Sequence, residues 1–139
     1  MTADVKQVPG EPIIMIAYTE PWYPEKDTMQ DGPLFAELEG KFEGPIFRIT
    51  DFRGLNITAG DMATALMMVT KRNVVGAVAD PRVHLLMVGH DAMVKVVRKS
   101  LAMGLYGELA AAPKLFSTTE AALAYAHTEL ANYAKKGLG

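Results

Sequence analysis

The sequence predicts an α/β domain with a single, mostly parallel sheet and helices packed on it. Three observations carry this. The second half reads strand, turn, helix, strand, capped helix: VHLLMVGHD (83–91), AMVKVVRKSLAMGLYGELAAA (92–112), PKLFSTTE (113–120) and AALAYAHTELANYAKK (121–136). Two successive strand–helix units are the mark of a layered α/β arrangement. The run 83–88 is apolar almost throughout, as a parallel strand covered on both faces requires. Two earlier β-forming runs, 13–19 and 46–52, supply further strands ahead of it.

Taken in order, residues 1–12 read as a flexible tail closed by Pro9, Gly10 and Pro12, and 13–139 as one domain. The tail lacks the apolar run of a secretory leader, and none is expected. IIMIAYT (13–19) is a strand. The Pro-, Asp- and Gly-rich segment 20–33 is a loop, with Trp22 and Tyr23 expected to pack back on the domain. Leu34, Phe35 and Leu38 fit a short helix over about 33–39, with a hairpin strand as the alternative. Gly44-Pro45 breaks the chain, and IFRITDF (46–52) alternates as a strand does.

After a turn at Gly54, Thr58 and Asp61 form a capping-box pattern that opens a helix running to about residue 71 or 72, with its basic end where the helix dipole favours it. Residues 73–79 fit neither helix nor strand alone, and Asp80-Pro81 turns the chain. Asp91 is placed to cap the next helix. Its buried stripe is Val94, Val97 and Leu101, and Gly104 is its stop. Residues 114–116 form the last strand. Ser117 with Glu120 makes a second capping box, and Lys135, Lys136 and Gly137 close the final helix. The order is βαβαβαβα with right-handed crossovers. Ligands of such sheets bind beyond the carboxyl ends of the strands, here at residues 19–20, 51–53, 89–91 and 117–118.

Composition narrows the function. A net charge of -2 gives no basic stripe for nucleic acid. The absence of cysteine excludes disulfides, thiolate metal sites and a cysteine nucleophile, and fits a reducing, cytoplasmic setting. No segment approaches the roughly 18 apolar residues of a membrane span.

Candidate chemistry is sparse. His90 lies beyond a strand end, and with Asp51 and Tyr106 it offers the parts of a general-base site. No nucleophile elbow or triad spacing accompanies it, so catalysis ranks behind binding and no catalytic residue is assigned. Arg53 suits an anion. His84, His90 and His127 lack metal-ligand spacing, and Gly104 to Gly107 lacks the Lys-Ser/Thr of a phosphate loop, so no cofactor is expected. The helix from Thr58 is apolar nearly all round: Met62, Ala63, Ala65, Leu66, Met67, Met68 and Val69 leave almost no polar face. It is expected to be core, a self-association or partner surface, or the wall of an apolar pocket, and methionine suits each.

The succession RITDFRGLNITAGDM, a strand ending VGHD, a helix, and PKLFSTTEAALAYAHTEL resembles the STAS/SEC14-type, SpoIIAA-like family over about 45–130. The resemblance implies a core of four βα turns wound as a right-handed superhelix. It also implies one of two activities: an anti-sigma-factor antagonist that binds a protein partner and is switched by phosphorylation, or a SEC14-like carrier of an apolar or lipid-like ligand. The family's phosphorylated serine is matched only by Thr58 in Ile57-Thr58-Ala59-Gly60, without the Asp-Ser pair, and helix capping accounts for Thr58 by itself. The expected partner or ligand surface is Asp51, Arg53, Thr58, Met62, Leu66, Met67, His90 and Asp91.

Overall fold

A computed structural model describes residues 3–21, 32–56, 82–90, 95 and 114–137. They form a five-stranded sheet in the order β1-β2-β3-β4-β5, with β1 Ala3–Gln7, β2 Ile13–Tyr18, β3 Ile46–Asp51, β4 Val83–Val88 and β5 Lys114–Phe116. Helix α1 (Gly32–Lys41) lies between β2 and β3 in the chain, and α2 (Thr119–Gly137) follows β5. The α/β class and the mostly parallel sheet are as the sequence predicts. The helices expected from Thr58 and Asp91, the segment 73–79, Trp22, Tyr23 and Tyr106 lie outside the described residues.

β2, β3, β4 and β5 are parallel and adjacent in chain order. Each crossover therefore steps one strand the same way.

β1 corrects the expectation of a flexible tail. Residues 3–7 pair antiparallel with β2, from Ala3 opposite Tyr18 to Gln7 opposite Ile14. The tail is polar by composition, but Asp4 and Lys6 alternate with Val5, and alternation suits an edge strand with one wet face. The turn between them uses Gly10 at a φ of 74°, and Glu11 donates its N–H to the Val8 carbonyl at 3.1 Å.

The register sorts the side chains onto two faces. On one, Ile13 lies beside Phe47, Phe47 beside His84, Ile49 beside Leu86, and Val88 beside Phe116. Ala122 and Ala126 of α2 pack on this face with Ile13, Phe47, Ile49, Leu86 and Val88, all at most 1 % exposed. Alanines at i and i+4 let the helix approach closely. Each of these large side chains contributes about 1.5–3 kcal/mol by leaving water. The opposite face carries Ile14, Ile16, Tyr18, Ile46, Val83, Leu85 and Met87, and is equally buried. Burial on both faces explains the nearly continuous apolar runs of β2 and β4. Among the described residues Arg48 and Thr50 are the buried polar ones on this second face, and the Thr50 hydroxyl has no hydrogen-bond partner among them.

Candidate functional site

β3 ends at Asp51, and the chain turns sharply. Phe52 donates its N–H to the Val88 carbonyl at 2.8 Å, and Leu55 donates to the Phe52 carbonyl at 3.1 Å. The turn presses so closely on β2 that a β-carbon on Gly54 would sit 2.7 Å from the Tyr18 carbonyl oxygen. Glycine is the residue that fits. Tyr18 and Phe52 pack ring to ring beneath it, with centroids 5.5 Å apart.

This turn aims Arg53 back at Asp51. Arg53 donates from its backbone N–H and its Nε to Asp51 Oδ1, at 2.9 and 3.0 Å, and from Nη2 to Oδ2 at 2.9 Å. Nη2 also donates to Thr119 Oγ1 at 2.8 Å, which ties the end of β3 to the first residue of α2. His90 Nε2 lies 3.2 Å from the Arg53 carbonyl oxygen. A carbonyl only accepts, so in this contact Nε2 is the donor. On the other side of the turn, Glu20 Oε1 accepts the Asn56 N–H at 2.7 Å.

The electrostatics follow from this geometry. Partial burial opposes the charge on Asp51. The hydrogen bonds and charge of Arg53, helped by His90, outweigh it and hold the carboxyl below its ordinary value of 3.8. The hydrogen bond to Asp51 raises Arg53 in turn. Asp51 is therefore a charged acceptor engaged at both of its oxygens. His90 meets a backbone carbonyl instead of a second catalytic side chain. This end of the sheet is an internally paired latch joining β3, the exit of β4 and α2.

Of the residues expected here, Asp51, Arg53 and His90 are brought together. Thr58, Met62, Leu66, Met67 and Asp91 lie outside the described residues. Thr119 was not anticipated; the only sequence hint was its place at a helix start. The cap also falls one residue later than the Ser117–Glu120 pattern implies. Thr118 Oγ1 accepts the Ala121 N–H at 3.1 Å, so Thr118 is the N-cap and Glu120 stands at the second helical position.

A second feature lies at the opposite end of the sheet. Here α2 passes over the start of β3 and β4, and a cleft of about 420 Å³ opens among Glu43, Arg82, His84, Glu129, Asn132 and Tyr133. Arg82 is turned onto the chain after α1. Its Nε donates to the Gly44 carbonyl at 3.0 Å, and its Nη2 donates to the Phe42 carbonyl. Tyr133 lies against Gly44, where a β-carbon would be 2.7 Å from the ring. His84 stacks on Phe47 with centroids 5.0 Å apart. Burial lowers its pKa below 6.5 despite the charge of Glu129, so it is a neutral imidazole near pH 7. Burial raises the pKa of the Tyr125 hydroxyl, helped by the nearby Glu129 carboxylate.

Among the described residues no group of three or more His, Asp or Glu side chains is placed to hold a metal ion, and no helix is long and apolar enough to cross a membrane. In comparisons with known proteins, no family model, no curated protein and no solved structure matches the chain.

Proposed function

We propose that the chain is a regulatory binding domain of SpoIIAA-like wiring. In this reading it presents the carboxyl end of its sheet to a protein partner and carries out no reaction there. One observation carries the proposal: Asp51, Arg53, Thr119 and His90 at that end are spent on each other. Arg53 grips both oxygens of Asp51 and reaches Thr119, while His90 is held on the Arg53 carbonyl. Catalysis by proton transfer needs a base and a reacting group left open to one another. A stiff cross-linked rim suits recognition instead. The strand order supports the same reading. Crevices for small ligands open where strand order reverses, and β2 to β5 run in unbroken sequence. Four parallel strands in chain order are also what a four-turn βα superhelix requires. A cytoplasmic setting belongs to the proposal, since a cysteine-free chain needs no oxidising compartment.

The test uses the purified protein and two surface variants, Glu120→Lys and His90→Ala. Both positions are exposed at this end and neither residue bridges Asp51 to Arg53. Native mass spectrometry first gives subunit number and any co-purified ligand. Candidate partners are then retained on immobilised wild-type protein and each variant. The expected result is a protein bound saturably by the wild type, and at least about tenfold more weakly by a variant. A stoichiometric apolar adduct in the native spectrum overturns the proposal in favour of a ligand carrier. Equal retention by all three proteins removes this end of the sheet from the interface.

A further inference from the structure

The two ends of the sheet differ in how their polar groups are used. At the carboxyl end they are paired. In the cleft at the opposite end, the side chains of Glu43, His84, Asn132 and Tyr133 make no hydrogen bond to any described residue, although all four line one cavity of about 420 Å³. That volume is within the range of small-molecule sites.

The helix pattern sharpens the point. The core-facing stripe of α2 is Ala122, Ala126 and Leu130, with Leu123 and Tyr125 beside it. Glu129 and Tyr133 lie on the flank of that stripe and line the cleft with His84 and Gly44. Glu129 is half-buried there, and its charge acts on the nearby Tyr125 hydroxyl. A carboxylate accepts up to about four hydrogen bonds.

The chemistry of the lining selects the ligand. Glu43 and Glu129 are acceptors and bring two negative charges. A neutral imidazole offers an acceptor nitrogen, and the Asn132 and Tyr133 oxygens add further acceptors. Arg82 supplies positive charge, but its guanidinium donates to the backbone carbonyls of Gly44 and Phe42. The Tyr133 ring, at 42 % exposure, gives a flat apolar wall with a negative face.

We propose that this cleft binds a small organic cation rich in N–H donors, an amine or guanidinium group, held between Glu43 and Glu129 against the Tyr133 ring. The same chemistry arises from a free small molecule or from a lysine or arginine side chain of a protein. The site does not depend on the partner surface at the other end of the sheet.

Amide and side-chain NMR of the full chain tests it with three probes: butylguanidinium, its neutral isostere butylurea, and a short arginine-containing peptide blocked at both ends. The expected result is saturable shifts at Gly44, His84, Asn132 and Tyr133 with a cationic probe and none with butylurea. Glu129→Gln, which keeps shape, should weaken binding about tenfold. Tyr133→Ala should weaken it while circular dichroism is unchanged. Saturation by butylguanidinium supports a free ligand, and saturation by the peptide alone supports a protein side chain. Equal binding of butylurea, unchanged binding in Glu129→Gln, or no saturable shift with either cation overturns the proposal.

Discussion

Arg53 folds back over Asp51, two residues earlier, and engages both carboxylate oxygens, one from Nε at 3.0 Å and the other from Nη2 at 2.9 Å. Because Nη2 also reaches Thr119, 66 positions away in sequence, a local turn becomes a tie between sheet and helix. The pair is partly exposed, with side chains 36 % and 20 % accessible, so its worth is set by its hydrogen bonds more than by bare charge.

Acid unfolding reads this tie directly. Asp51 has a lowered pKa in the fold, so its contribution is complete above its ordinary value of 3.8 and is lost as pH falls through the lower folded value. Asp51→Asn should cost about 1–2 kcal/mol in urea unfolding at pH 7. It should also flatten the loss of stability below about pH 4, compared with the wild type.

His84 titrates in the opposite sense from a paired histidine. Its folded pKa lies below 6.5 because burial outweighs Glu129. Below 6.5 the unfolded chain takes up the proton more readily, so this group favours folding at higher pH and loses that contribution as pH falls. NMR titration of the His84 ring should give a value below 6.5. Glu129→Gln removes a raising influence and should move it lower still.

Two glycines separate flexible from rigid crowding. An added methyl at Gly54 meets the Tyr18 backbone oxygen at 2.7 Å, whereas one at Gly44 meets the end of the Tyr133 side chain at the same distance. Gly54→Ala should therefore cost about 2–3 kcal/mol and Gly44→Ala about 1 kcal/mol or less. Combining Gly44→Ala with Tyr133→Ala should cost less than the sum of the single changes, because the crowded ring is gone. Thermal unfolding of the set decides it.

Thr50 invites a stabilising change. Its hydroxyl is buried on the face away from α2 and has no hydrogen-bond partner among the described residues. Thr50→Val keeps the branched shape and removes the desolvated oxygen, which should raise stability by about 1 kcal/mol in urea unfolding. A loss of stability would mean that the hydroxyl is satisfied.

The parts legible in sequence are those whose environment is the same along their whole length. β2 and β4 are buried on both faces and apolar almost throughout, and β3 alternates as a strand does, so the predicted spans differ from the observed ones by at most a residue. β1 was missed because an edge strand with a wet face looks like a polar tail until its partner is known; Val5 opposite Ile16 is what makes it sheet. The cap of α2 moved from Ser117 to Thr118 because two adjacent hydroxyl residues offer the same chemistry, and the backbone decides between them. Asp51 and Arg53 were legible as residues at a strand end, but their pairing and the reach to Thr119 were not, since only the turn and the fold bring these groups together. The cleft was illegible for the same reason, as Gly44, His84 and Tyr133 come from three distant segments.

The unbroken strand order has a further meaning for how the protein is made. Each of β3, β4 and β5 docks beside a strand synthesised before it, so the sheet can grow by accretion at one border while the chain is still emerging from the ribosome. The face lined by Phe47, Ile49, Leu86 and Val88 is covered last, because its cover is the final helix. A nascent chain halted before residue 119 would carry an assembled sheet with a bare hydrophobic side, which is the interval in which a chaperone has something to hold.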